Sequence, residues 1–183
     1  MKTAMVVLAD GFETVEALSP VDVLRRLGVQ VCLAGLDKEI VTSAQRVAVK
    51  ADAVLSESLP AADVIVLPGG LPGAKYLGAS ALLRKMVTDQ LARGAYAAAI
   101  CAAPALTLAA WGLLAGKKAT CYPGCETAFP ADARYLDDAP VVVDGKIITS
   151  RGPGTALAFA YAIAEALLGA APVAEMRRNM LYA

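Results

Sequence analysis

Lys2-Thr3-Ala4-Met5-Val6-Val7-Leu8-Ala9-Asp10-Gly11 decides the fold class. It is a short apolar run rich in Val, closed by an acidic residue and a glycine, and it reads as a buried strand. Glu13 to Leu27 comes next with apolar residues near a period of 3.6, ends in Arg25-Arg26, and stops at Gly28, which predicts a helix. Ser19-Pro20 inside that span allows a kink or restart. Val29 to Ala34 is a second strand. Strand, helix and strand in so short a stretch make a βαβ unit.

The alternation continues outward. Ile40 to Lys50 reads as short strands joined by a turn, and Asp63 to Leu67 as an apolar strand closing in Pro68-Gly69-Gly70. Ser80 to Arg93 is helical, with Ser80 as cap and Gly94 as stop. Tyr96 to Ile100 is a strand, Ala103 to Trp111 a helix, and Lys118 to Cys121 a strand. Asp144-Gly145 joins Val141–Val143 to Lys146–Thr149 as a hairpin. Thr155 to Leu168 and Pro172 to Asn179 are the last helices. Strands that read as continuous apolar runs between helices predict an α/β fold, a mostly parallel sheet covered on both faces. Ligands in such sheets bind beyond the carboxyl ends of the strands. The loops to inspect are Asp10–Thr14, Pro68–Gly73 and the turn at Cys101.

The chain has 183 residues, without internal repeat or linker, and is expected to form one domain. Hydrophobic residues are 57% and charged residues 19%, so burial can offset the entropy of ordering. Lys plus Arg equals Asp plus Glu at 17 each, so no basic excess steers the chain to nucleic acid or anionic lipid. There is no histidine, which excludes Ser-His, Cys-His and His-metal chemistry within this chain. The uncharged stretch Gly94–Gly116 has the length of a membrane span. It is mostly Ala and carries Pro104 and Gly112, so a buried strand followed by a buried helix is the expected reading. No signal peptide is evident, and Cys32, Cys101, Cys121 and Cys125 are too sparse for a disulfide scaffold, so a reducing cytoplasm is expected.

Chemistry points first to Cys101. It comes directly after a strand, opens the next helix, and stands in Ala99-Ile100-Cys101-Ala102-Ala103, with small residues on both sides. That is the pattern of a nucleophile elbow, and the helix start there favours thiolate. An inert Cys in an Ala-rich core has the same local sequence. Glu13 and Glu16 stand at the start of the first helix. An ionised carboxylate beside the thiol would raise its pKa, whereas a carboxyl kept protonated by burial can hydrogen-bond the thiolate and shuttle protons. Gly69 and Gly70 bring bare N–H groups to the ligand side, where they can bind an oxyanion. Ser150-Arg151-Gly152-Pro153-Gly154-Thr155 ends a strand and starts a helix, compatible with an anion but lacking the Lys-Ser/Thr pair of a phosphate loop. Cys121 and Cys125 have chelating spacing, but a zinc site would need all four cysteines, Cys101 included, so no metal is expected. A labile redox pair is the remaining reading of those two.

The set resembles the ThiJ/PfpI family, in the branch of the Parkinson's-disease deglycase and bacterial YajL. The matching stretches, in the family's order, are Ala9–Glu16, Pro20–Arg26, Val66–Gly70, Ala98–Pro104 and Thr149–Thr155. The resemblance implies a flavodoxin-like three-layer sandwich that forms a homodimer and needs no cofactor. It implies that Cys101 is the reactive thiol, that Glu16 is bonded to it, and that Gly70 and Ala102 supply backbone donors. Arg26, Arg46, Ser150 and Arg151 become candidates for holding anions. The protease-like branch places a His after the cysteine where this chain has Ala102, which disfavours a peptidase. The deglycase's His near the cysteine corresponds to Tyr122 here, so Glu16 would carry proton transfers, with Tyr122 or water assisting. The implied activity is that of a glyoxalase or deglycase acting on methylglyoxal or its early adducts on protein or nucleotide. The alternative is a redox-responsive protective protein or holdase in which oxidation of Cys101 is the event. Turnover discriminates the two.

Overall fold

The computed structural model of the chain describes residues 1–182. Its opening run forms β1 (Thr3–Leu8), succeeded by α1 (Thr14–Arg26) and β2 (Gln30–Gly35). The small antiparallel pair β3 (Ile40–Thr42) and β4 (Ala48–Lys50) and the short β5 (Ala53–Val54) come next. After them stand β6 (Val64–Leu67), α2 (Gly73–Ala79), α3 (Ala81–Ala92) and β7 (Tyr96–Ile100). A π-helical segment, Pro104–Ala109, leads to β8 (Lys118–Ala119) and β9 (Arg134–Tyr135). The chain ends with β10 (Val141–Asp144), β11 (Ile147–Ser150), α4 (Ala156–Leu168) and α5 (Ala170–Asn179).

Seven strands form the main sheet in the order β10-β11-β7-β6-β1-β2-β5, and only the edge pair β10–β11 is antiparallel. Strand alternation sends Val6, Leu8, Val66, Ala98 and Ile100 to one face, where Phe159 and Ile163 of α4 and Val23 and Leu24 of α1 cover them. Met5, Val7, Ile65, Leu67, Ala97 and Ala99 face the other way, onto Leu77 of α2, Leu83 and Val87 of α3, and Leu108. The architecture is therefore the flavodoxin-like three-layer sandwich, with helices on both faces.

The hairpin at Asp144-Gly145 forms as expected, and Ser80 caps α3, its hydroxyl accepting from the Leu83 N–H at 3.1 Å. Besides the short strands β5 and β9, which the sequence pattern leaves unread, four elements differ from the sequence expectation. The first helix runs through Pro20 without restarting. The segment expected as an ordinary helix at Ala103–Trp111 is π-helical over Pro104–Ala109, and the Ala110 N–H reaches back to the Ala105 carbonyl. Lys118–Cys121 yields only a two-residue strand, paired with β9 outside the main sheet. Finally, α2 occupies a stretch that the sequence pattern leaves without an element. Among the described residues no helix is long and apolar enough to cross a membrane, and Gly94–Gly116 contains β7, a turn and the π-helical segment.

Candidate active site

The carboxyl ends of β1, β6, β7 and β11 converge on one point. Cys101 leaves β7 in a left-handed conformation, φ 65°, unusual for a residue with a side chain. Its N–H donates to the Ser150 carbonyl at 3.0 Å, and its carbonyl accepts from the Tyr122 N–H at 2.8 Å. These two backbone bonds tie the elbow between the end of β11 and the Tyr122 turn, so the strained φ is held by its surroundings.

Glu16, in the first turn of α1, is fully buried. Its Oε2 accepts from the Gly69 N–H at 2.9 Å, and its Oε1 has no protein partner. Burial is the main cause that pushes the Glu16 carboxyl up to about 7. A hydrogen bond from the Cys101 thiol and the one from Gly69 oppose it, and the charge of Glu13 adds to it. The thiol is pushed up to about 12, first by burial, then by the charge of Glu16 and the hydrogen bond to it. Backbone N–H groups of Gly70 and Ala102 act the other way. The expected lowering of the thiol by a helix start is thus outweighed. The elbow opens only a short π-helical segment, while desolvation and an adjacent acid dominate. The two groups share a proton: the thiol stays protonated while the Glu16 carboxyl, raised to about 7, titrates first.

Glycines make the pair fit. A Cβ on Gly69 would stand 2.5 Å from the Cys101 Cβ and 2.7 Å from Glu16 Oε2. Gly70, at φ +85°, lies against the Gly11–Glu13 backbone, with its would-be Cβ 2.4 Å from the Glu13 nitrogen. Gly152 is buried beside Glu16: its would-be Cβ lies 4.0 Å from Glu16 Oε1 and 3.3 Å from Cδ2 of Tyr122. The Tyr122 ring is half exposed and packs against this glycine.

Cys101, Glu16, Gly69, Gly70, Ala102, Gly152 and Tyr122 are brought together. The anion-binding candidates are dispersed. Arg26 is in the last turn of α1, exposed and paired with Asp22. Arg46 sits exposed in the turn between β3 and β4 at φ 63°. The buried Ser150 hydroxyl is occupied by the Pro140 carbonyl and the Thr155 hydroxyl, both at 2.7 Å. Arg151 is half buried, and the ion pairs of the described residues do not include it. Sequence reasoning missed Gln45, which accepts from Thr14 and donates to Glu13 Oε2 at 2.7 Å, tying the Glu13 carboxylate to the β3–β4 turn. No local signal marks a glutamine in a distant turn as a partner of the first helix. Among the described residues no cluster of His, Cys, Asp or Glu is arranged to hold a metal ion.

A strand-to-helix elbow bearing a thiol, an acid buried against it and a glycine cradle on a doubly covered parallel sheet define a class of cysteine-centred α/β proteins. The chain belongs to the DJ-1/PfpI family, whose sequence profile matches residues 2–166. It is 43% identical to the protein dj-1beta of Drosophila melanogaster over all of this chain and 98% of that one. It is 35% identical to the glutathione-independent glyoxalase DJR-1.2 of Caenorhabditis elegans, over 92% of this chain and 90% of that one. The structure of oxidised DJ-1 from Toxoplasma gondii superposes with a TM-score of 0.94 at 40% identity, covering both chains in full.

Proposed function

We propose that the protein is a cofactor-independent glyoxalase or deglycase in which Cys101 is the nucleophile and Glu16 the proton relay. The observation that carries this reading is the buried Glu16 carboxyl, raised to about 7 and facing the thiol, with one oxygen left unpartnered. Its proton affinity suits a group that must both accept and donate near neutral pH. A relative named a glutathione-independent glyoxalase supports it.

The steps balance without an external oxidant. Glu16 takes the thiol proton, and N–H groups of Gly70 and Ala102 stabilise the thiolate. The sulfur adds to the aldehyde carbon of methylglyoxal, and the carbonyl oxygen takes the proton from Glu16. Glu16 then removes the hydrogen on that carbon, giving an enediol, and returns a proton to the neighbouring carbon. The first carbon is oxidised to a thioester as the second is reduced to an alcohol. Water cleaves the thioester to lactate and restores the thiol. An early adduct on an amine or thiol would pass through the same steps after release of that group.

A second reading uses the same pair. The Cys101 thiol is only partly buried, so a peroxide can reach it, and a protonated Glu16 can donate to a sulfinate. The test is lactate formation from methylglyoxal without glutathione. Cys101→Ser and Glu16→Gln should each lose steady turnover by at least about a hundredfold. Multiple turnovers by Cys101→Ser would sink the nucleophile assignment. A freshly reduced wild type without turnover would transfer the case to oxidation of Cys101.

A further inference from the structure

The mechanism leaves unused two thiols that one turn carries. Cys121 is fully buried, Cys125 is half buried, and both are free. Between them the chain doubles back through Tyr122-Pro123-Gly124. The Cys125 N–H donates to the Tyr122 carbonyl at 3.0 Å and closes a β-turn. Pro123 and then Gly124, at φ 93°, fill its two central places, the pattern of a type II turn. The Gly124 N–H donates to the Glu126 carboxylate at 2.6 Å, and the Ala128 N–H to the Cys125 carbonyl at 3.1 Å. The turn is thus fixed with Cys125 brought back toward the residue four places before it.

The charges in this region sort the thiols. The Cys121 thiol is pushed up to about 12, first by burial and next by the charge of Cys125, so each sulfur lies in the other's field. Glu126 adds to that rise, and Arg151 is the cation that opposes it. Cys101 is not among the groups acting on Cys121 or Cys125, and neither of them is among those acting on Cys101. The link to the active site runs through the backbone alone, where the Tyr122 N–H donates to the Cys101 carbonyl at 2.8 Å. The pair is coupled within itself and separate from the reacting thiol.

We infer that Cys121 and Cys125 are a second oxidation site, a dithiol that closes to a disulfide around the Tyr122 turn when a hydroperoxide reaches Cys125. The half-buried Cys125 is the sulfur open to solvent, so it reacts first. Its thiolate attacks the peroxide O–O bond and takes one oxygen as sulfenic acid, and the other oxygen leaves as water or an alcohol. The Cys121 sulfur then displaces the sulfenic oxygen, which departs with the Cys121 thiol proton as water. Two thiols lose two electrons, one peroxide gains them, and no other reactant enters. Full burial shields Cys121 from the peroxide and leaves its neighbour in the turn as the sulfur it meets. The site does not depend on the proposed reading of the Cys101–Glu16 pair.

The test treats wild type, Cys101→Ser and Cys101→Ser with Cys125→Ala with hydrogen peroxide, then alkylates the unfolded chains and weighs their tryptic peptides. Cleavage after Lys118 and Arg134 releases both cysteines on the single peptide 119–134. In Cys101→Ser that peptide should lose two hydrogens, about 2 Da, and resist alkylation until dithiothreitol restores it. The same loss should appear in wild type, beside whatever happens at Cys101. With Cys125→Ala, Cys121 should stay reduced and take up the alkylating agent. A gain of two oxygens on Cys125, about 32 Da, with Cys121 still free would overturn the inference. So would a peptide that stays fully alkylatable, a bridge joining two chains, or a wild-type bridge from Cys121 to Cys101.

Discussion

The Cys101–Glu16 contact exists because position 69 has no side chain. Gly69 is not held in a left-handed conformation, so an alanine there meets no backbone objection and its effect is purely steric. The added methyl would stand 2.5 Å from one partner's Cβ and 2.7 Å from the other's carboxyl oxygen, so the two must part. Gly69→Ala should fold, yet lower kcat by roughly a hundredfold, the cost of a misplacement of about 1 Å. The pH profile supplies the second readout. In wild type the rate should rise through an apparent pKa near 7, as the pair loses its first proton. In Gly69→Ala that inflection should move toward ordinary carboxylate values as the acid leaves its pocket. Wild-type kcat and inflection in the variant would show that contact between the two groups is not used.

The elements legible in the sequence are those whose signals are local. β1, α1, β2, α3, β7 and the β10–β11 hairpin arise from apolar runs, caps and turn residues, and Cys101 stands out by its small neighbours at a strand end. α2 is illegible because its sequence, Gly73-Ala74-Lys75-Tyr76-Leu77-Gly78-Ala79, gives two of seven positions to glycine, a poor helix former. The reason is tertiary. A Cβ on Gly73 would stand 2.7 Å from the Phe12 nitrogen, and one on Gly78 only 2.0 Å from the Leu106 carbonyl oxygen. The Trp111 indole N–H then donates to the Gly78 carbonyl at 2.9 Å across the same contact. Close backbone approach, not helix propensity, accounts for these residues. Gly78→Ala should therefore gain propensity and still destabilise, by about 3 kcal/mol, the upper end for overpacking. Gly154→Ala, where nothing lies within 4 Å, should stay within about 0.5 kcal/mol. Urea unfolding of both variants measures the difference, and equal midpoints would mean that α2 can slide away from the π-helical segment at no cost. The Gly152–Tyr122 wall is illegible for a similar reason, since it joins the end of β11 to a turn that no periodicity places beside it.

Over the whole molecule, the buried acid makes stability depend on pH in a direction opposite to that of most carboxylates. Glu16 has its folded-state pKa raised from 4.5 to about 7, so the unfolded chain surrenders the proton first. Its stabilising contribution is full below pH 4.5, declines as pH rises, and is gone above about 7. At about 1.36 kcal/mol for each unit, the loss across that window is about 3 kcal/mol, undiminished by solvent because the side chain is fully buried. Other shifted groups act elsewhere. Asp10 and Asp63 are lowered from 3.8, so their contributions fade only in stronger acid. The thiols of Cys101 and Cys121, pushed up to about 12, penalise the fold only in the ordinary thiol range and above. Between about pH 5 and 8 the slope therefore belongs chiefly to Glu16. Wild-type unfolding free energy should fall across that interval, while Glu16→Gln, which cannot ionise, should stay nearly level. The variant should gain on wild type as pH rises, even as it loses activity. Chemical denaturation at about pH 5, 6, 7 and 8 gives both curves. Parallel curves would mean that the Glu16 carboxyl titrates at an ordinary value, and the proton relay proposed for it would then lack the affinity the chemistry needs.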